Sequence, residues 1–168
     1  MNLYLLRHGV AADPGATGCE DDSERPLIPK GERRLRAAAA AMKKLKLSFD
    51  LILSSPFLRA RQTAEIVAGE LRLKKRLEIF DELVPGGNSR ALMQALSELK
   101  PAPENVLLVG HEPHLSRLIS LLVSGNADAA AIEMKKGGLC KLEAAELRNG
   151  QCARLIWLLT PAQMELMA

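Results

Sequence analysis

"LYLLRHGVAA" occupies residues 3–12, and its first four side chains run directly into Arg7, His8 and Gly9. A short apolar run that stops at a polar or glycine-bearing turn reads as a strand buried on both faces, as in a parallel sheet. Two further runs have this form. "LIL" at 51–53 ends in Ser54-Ser55-Pro56, and "VLLV" at 106–109 ends in Gly110-His111-Glu112. Helical patterns separate the three. Lys30 to Lys46 forms the first helix, with Ala37 to Ala41 giving high propensity and Pro29 near its start. Pro56 opens the second, "PFLRARQTAEIVAGEL". Asn88 or Ser89 caps a third that runs to Leu99. Pro113 lies in the first turn of a fourth, which ends near Gly125. "GLCKLEA" (138–144) and "ARLIWLL" (153–159) read as late strands, and a short helix follows Pro161. This alternation predicts an α/β fold, a three-layer α/β/α sandwich with a mostly parallel central sheet. A length of 168 residues suits one domain spanning 1–168.

Composition removes several classes of function. Lys+Arg number 23 against 20 Asp+Glu, a net charge of +3 that does not indicate nucleic acid. Aromatic residues are 3%, too few for a base-stacking platform. The basic clusters "KGERRLR" and "KKLK" fit the solvated face of the first helix. No apolar run approaches the roughly 18 to 20 residues that cross a bilayer. Arg7 and His8 also interrupt the first run too early for a signal peptide. The three cysteines (Cys19, Cys140, Cys152) are an odd number without a CxxC pair. That pattern argues against a disulfide framework or zinc site and fits a reducing cytoplasm. Cys19 is the one candidate for redox chemistry, and its acidic loop disfavours the thiolate.

In open α/β sheets, ligands bind beyond the carboxyl ends of the strands. The chain has only three histidines, and two of them, His8 and His111, follow such strands. Arg7 joins the first, while Arg59 and Arg61 lie in the first turn of the helix after the second run. One strand-end histidine has an ordinary structural explanation; two, accompanied by arginines, point to a shared ligand. Arginine forks match phosphate oxygens, and a helix N-terminus after Pro56 or Gly110 adds a favourable dipole. The ligand expected is a phosphate group. No GxxxxGK[ST] is present, and no carboxylate cluster suggests magnesium. "HEPH" (111–114) places its histidines three apart with a proline between, which does not fit the zinc motif HExxH. No metal and no cofactor are therefore expected. Neutral imidazole can attack phosphorus and form a covalent intermediate. Gly9 would let the backbone pass close enough for a carbonyl to fix the His8 tautomer.

"LLRHG", "SSPFLRARQTAE" and "VGHEPHLS", in this order and spacing, resemble the histidine phosphatase superfamily, the RHG-motif phosphatases and mutases. The resemblance covers essentially the whole chain. It implies a phosphoglycerate mutase-like fold, His8 as nucleophile, Arg7 and Arg59 as a phosphate clamp, and His111 as a second catalytic histidine. Arg61 falls at a variable position of the motif and is expected to face away. Within the superfamily the resemblance is to small bacterial phosphohistidine phosphatases of the SixA type. "RHGVAA" carries small residues where mutases carry Glu or Gln followed by Ser or Thr, and "ERPLIPKGERR" resembles that group's "RPLT..G" stretch. Only 52 positions separate Arg59 from His111, which leaves no room for the helical lid of many relatives. An open pocket suits a phosphorylated side chain on a protein, such as a phosphotransfer domain, better than a small metabolite.

Other residues carry two readings. Glu82, in "FDELVPGG" (80–87), is the candidate proton donor or a structural loop carboxylate, with Asp81 as a lesser candidate. Glu112 touches substrate or opens a helix. Arg25 leans over the pocket and binds substrate, or it pairs with Asp21, Asp22 or Glu24. The acidic "CEDDSE" (19–24) forms a docking rim or a solvated loop. His114 is expected to be a packing or hydrogen-bonded residue. Two other functions remain open: a phosphatase or mutase of small phosphate monoesters, which needs a strong acid, and a non-catalytic phosphate-binding or adaptor protein. The presence of all four core residues argues against the adaptor.

Overall fold

A computed structural model describes residues 1–15 and 20–168. Cys19, the redox candidate, lies outside the described residues. Six strands form one sheet: β1 Asn2–Arg7, β2 Leu51–Ser54, β3 Leu77–Ile79, β4 Asn105–Gly110, β5 Leu139–Ala144 and β6 Ala153–Leu159. Five helices accompany them: α1 Pro29–Lys44, α2 Leu58–Glu70, α3 Ser89–Glu98, α4 His114–Ser124 and α5 Pro161–Met167. The spatial order of strands is β3-β2-β4-β1-β5-β6. The first four run parallel, and β5 and β6 close the far side antiparallel.

The continuous apolar runs follow from layers on both faces. Successive strand residues point to opposite faces. In β1, Leu3 and Leu5 accordingly join one core cluster while Tyr4 and Leu6 join the other. In β4, Val106 and Leu108 divide from Leu107 and Val109 in the same way. Apolar faces of α3 and α4 cover the first side, through Leu92, Leu96, Leu115 and Ile119. On the second side α1, α2 and α5 contribute Ala41, Met42, Ala64, Val67 and Met164. The alanine run of α1 lets that helix lie close to the sheet: Ala38, Ala39 and Ala41 are buried.

Some boundaries differ from the sequence reading. The first helix ends at Lys44 rather than Lys46, because Lys46 takes a left-handed conformation (φ 55°). The second begins at Leu58, not Pro56; the Phe57 carbonyl accepts from the Ala60 and Arg61 amides and so starts the helix. The fourth begins at His114, with Pro113 as the preceding cap residue. Among the described residues, no helix is long and apolar enough to cross a membrane.

Strand register places the functional residues together. Arg7 is opposite Gly110 across β1 and β4, and Ser54 is opposite Val109 across β2 and β4. The ladder runs one step further, with His8 N–H donating to the Gly110 carbonyl and Ser55 N–H to the Val109 carbonyl, both at 3.0 Å. His8, Ser55 and His111 therefore leave three adjacent parallel strands at one edge, where an open α/β sheet binds its ligands.

Candidate active site

His8 is buried, 6% exposed, at the first position beyond β1. Its Nδ1 lies 2.7 Å from the Gly9 carbonyl oxygen. A carbonyl only accepts, so Nδ1 carries the ring proton and Nε2 keeps its lone pair. Nε2 in turn accepts from Arg59 Nε at 3.4 Å. The turn is fixed from α2: the Thr63 hydroxyl accepts from Gly9 N–H at 3.1 Å and donates to the Arg59 carbonyl at 2.7 Å. One side chain thus locks the His8 loop to the turn that carries Arg59. A Cβ at Gly9 would lie 2.7 Å from Leu35 Cδ1, so a side chain there would displace the buried Leu35.

Arg7 is held by the turn that precedes β5. Its N–H donates to the Gly138 carbonyl at 3.1 Å, and Gly137 N–H reaches both the Arg7 and His8 carbonyls at 3.0 Å. The side-chain Nη1 donates to the Met134 carbonyl at 2.7 Å. Gly137 occupies φ +83°, a left-handed conformation that suits glycine. Arg7 Nε is buried and has no partner among the described residues.

His111 is 1% exposed, and its ring centroid stands 5.0 Å from that of His8. Its Nε2 pairs with the Ser55 hydroxyl at 2.9 Å. The same hydroxyl accepts from Phe57 N–H at 3.3 Å, so its proton is available to Nε2. Donation of that proton to Nε2 goes with the tautomer protonated on Nδ1, and Nδ1 is buried and unpartnered among the described residues. Phe57 presents its ring to both groups, 5.2 Å from the His111 ring and 5.1 Å from the Arg59 guanidinium carbon.

Burial pushes the His8 pKa down to about 3; the Gly9 carbonyl opposes this, and the charges of Arg59, Arg7 and Lys136 add to it. Burial also brings His111 to about 3, helped by His8 and Arg59 and opposed by Asp22. Both rings are therefore neutral at neutral pH. Both folded values lie below the ordinary 6.5, so between these limits the unfolded chain binds more protons than the folded one. Stability from this source is complete above the unfolded value and is lost as pH falls toward 3. The melting temperature should drop progressively from pH 7 to pH 4 in phosphate-free buffer. His111→Asn should reduce the slope, and a slope unchanged by that substitution would contradict the assignment.

Arg59, 4% exposed, sits in the first turn of α2. Its Nη1 donates to the Asp22 carbonyl oxygen at 2.6 Å, and its Nη2 to Asp22 Oδ2 at 2.9 Å. Arg25 is paired with the same residue, its Nε and Nη2 both 2.7 Å from Asp22 Oδ1. Within the acidic stretch Asp22 joins two arginines at the site, while Glu20, Asp21 and Glu24 are exposed. Glu112 accepts from Ser116 N–H at 3.1 Å, the helix-opening one of its two readings; burial lowers the pKa of Arg7, and the charges of Glu112 and Glu133 partly oppose that. Arg61 and Asp81 are exposed. His114 is buried as a packing residue, its pKa lowered by burial and partly restored by the Val84 backbone.

Glu82 is half-buried in a 3-10 turn, Asp81–Leu83, directly after β3. This turn lies against the end of β4, where the Leu83 carbonyl oxygen is 3.4 Å from the position a Gly110 Cβ would take. The turn reaches the site's edge, but Glu82 makes no hydrogen bond or ion pair with His8 or His111 among the described residues. Its carboxylate has no hydrogen-bond or ion-pair partner there either. Beside Arg7, a groove of about 510 Å³ is lined by Arg34, Lys135 and Lys136 with Val10 and Pro161.

Sequence reasoning missed Ser55, Thr63 and Lys136, and named Asp22 only as one possible partner of Arg25, not of Arg59. Thr63 offered a signal, since it lies one helical turn after Arg59 on the same face. Ser55 lies in a motif that was quoted without a role for its hydroxyl. Nothing in the sequence pointed to Asp22 over its acidic neighbours. No group of three or more His, Cys, Asp or Glu side chains among the described residues is arranged to hold a metal. The arrangement gathers a lone pair on His8 Nε2 with the Arg59 guanidinium, and with Arg7 Nε and His111 Nδ1, which have no partner among the described residues. Such an arrangement can hold an anion.

Residues 3–84 match the histidine phosphatase superfamily (branch 1). An uncharacterized protein of Picosynechococcus sp. is 38% identical over 149 residues, 88% of each chain. Phosphohistidine phosphatase SixA of Escherichia coli is 37% identical over 128 residues, 74% of this chain and 76% of its own. The solved structure of the protein histidine phosphatase SixA complexed with tungstate superposes with a TM-score of 0.81 at 30% identity, covering 98% of this chain and 99% of that one.

Proposed function

The chain belongs to the histidine phosphatase superfamily, of SixA type, and from that premise we propose that it hydrolyses phosphohistidine on a protein, without metal, through a covalent phospho-His8 intermediate. One observation carries the reading: the Gly9 carbonyl holds the ring proton on Nδ1, so His8 Nε2 keeps an unprotonated lone pair facing Arg59 Nε, and Arg7 Nε and His111 Nδ1 are buried without partners among the described residues. In the first step Nε2 attacks phosphorus, and the bond from phosphorus to the substrate imidazole breaks. That imidazole leaves as a neutral ring when its nitrogen is already protonated, so no strong acid is needed. Arg7, Arg59 and His111 hold the phosphoryl oxygens as charge builds on them. The proton stays on Nδ1, donated to the Gly9 carbonyl, so phospho-His8 is a cationic ring and a good leaving group. Water then attacks phosphorus, the electron pair of the P–N bond returns to Nε2, and orthophosphate departs with the water's proton passing to solvent.

Specificity for a protein substrate draws on three supports. The named relative is a phosphohistidine phosphatase. Between α2 and β4 the described chain forms only β3, short 3-10 turns and α3, with no lid domain. The groove beside Arg7, lined also by Arg34, Lys135 and Lys136, offers cationic side chains for a protein surface to meet. The partner is then a phosphohistidine-bearing protein such as a phosphotransfer domain, met in the cytoplasm. Cys140 suits that setting as an inert thiol, free and buried, its pKa pushed up to about 12 by burial.

A second reading, hydrolysis of small phosphate monoesters, is favoured by Glu82, a half-buried carboxylate free to serve as a general acid. One assay panel separates the two. A phosphohistidine protein, phosphoramidate and common sugar phosphates are offered with and without a chelator. The first two should be turned over efficiently, unaffected by chelator, and Glu82→Gln should leave them unchanged. Efficient sugar phosphate hydrolysis that Glu82→Gln slows by about 10²-fold or more would establish the ester reading instead. Activity lost to the chelator and restored by a divalent cation would overturn the metal-independent step.

A further inference from the structure

Asp22 lies in a 3-10 turn, Asp22–Glu24, in the segment between β1 and α1. It engages Arg59 with two groups, its backbone carbonyl taking Nη1 at 2.6 Å and Oδ2 taking Nη2 at 2.9 Å. Its other oxygen, Oδ1, is 2.7 Å from both Nε and Nη2 of Arg25, whose Nη1 donates to the Ala12 carbonyl at 2.7 Å. A guanidinium pairs through two flat edges, an end-on edge of Nη1 and Nη2 and a side-on edge of Nε and Nη2. Asp22 takes the end-on edge of Arg59. The side-on edge remains, and its Nε is the atom 3.4 Å from His8 Nε2.

We infer that Asp22 is a positioning residue, which binds the far edge of Arg59 so that the near edge addresses the phosphoryl group on His8, and which holds Arg25 alongside. The inference rests on the phosphoryl-transfer reading of His8 and Arg59 given above. An acid so close to a phosphate site would ordinarily repel the ligand. Here one carboxylate is shared between two guanidinium groups, so the trio keeps a net positive charge. Partial burial alone would raise the Asp22 pKa, but the hydrogen bonds and charges of Arg25 and Arg59 outweigh it and keep the carboxyl below its usual range. The side chain is 53% exposed, so its loss removes little packing. Arg59, by contrast, is enclosed and would lose the contact that sets its orientation.

Tungstate serves as the probe, titrated calorimetrically into the wild-type chain, Asp22→Asn, Arg59→Ala and the double variant. Asp22→Asn should bind tungstate about tenfold more weakly, as expected for a disturbed charge-assisted pair. It should also lower kcat/KM on phosphoramidate while leaving the melting temperature unchanged. Adding Asp22→Asn to Arg59→Ala should cost little more than Arg59→Ala alone, because Asp22 acts through Arg59. Asp22→Ala should behave like Asp22→Asn. Tighter tungstate binding by Asp22→Asn would make Asp22 a competitor for the arginines and overturn the inference, as would unchanged binding or strictly additive losses. If the wild-type chain binds no tungstate, the phosphoryl reading fails and the inference falls with it. If the wild type binds and Asp22→Asn binds equally well, the Asp22 assignment alone fails.

Discussion

His8→Ala is expected to reduce phosphohistidine hydrolysis by about 10⁴-fold or more, the loss seen when a covalent nucleophile is removed. The size follows from the route. Without Nε2 no phosphoenzyme forms, and water would have to attack the substrate directly with no base placed to activate it. Substitution removes a buried ring and its bond to the Gly9 carbonyl, so folding must be checked separately by circular dichroism and melting temperature. Tungstate binding should survive in weakened form, because Arg7, Arg59 and His111 remain. That separates chemistry from binding: turnover collapses while the anion site persists. A variant that folds, binds tungstate and still turns over at near the wild-type rate would remove His8 from the mechanism.

Arg59→Ala is expected to lower kcat/KM by about 10²–10³-fold, the range for removing one preorganised donor group from a developing oxyanion. Arg59 is enclosed, carries the donor closest to His8 Nε2 and pairs with Asp22 through its other edge. Arg59→Lys should recover little of the loss. A lysine keeps the charge but has no fork with which to hold Asp22 and face His8 at once. Full recovery by lysine, measured as kcat/KM on phosphoramidate, would reduce Arg59 to a point charge and contradict the geometry.

Much of the fold was legible because it depends on residue type over short stretches. Leu3 to Leu6 and Val106 to Val109 are apolar on both faces, and only a strand covered on both sides accepts that pattern. His8 and His111 were legible because histidines are scarce and both follow such strands. The register between β1 and β4 then carried them to one edge. Other parts were not legible because they depend on where loops return. Asp22 lies 37 residues from Arg59 and is one of several acids in its segment; only the folded loop selects it. Ser55 reads as a turn residue until the strand ladder sets it beside His111. The Lys135–Gly138 turn bonds to the Arg7 and His8 backbone from more than 120 residues away, and no local pattern announces that contact. Helix starts shifted by one or two residues for a related reason, since prolines at 56 and 113 allow a first turn without fixing which residue begins it.

The central claim is the bond between phosphorus and His8 Nε2. Its most direct test is a rapid acid-free quench of the enzyme during turnover of radiolabelled phosphoramidate, followed by alkaline peptide mapping. Label should appear on the peptide containing His8, stable to base and labile to acid, and should be absent in His8→Ala. It should form and decay fast enough to account for turnover. Release of phosphate at the full rate with no label on His8, or label on a different residue, would contradict it.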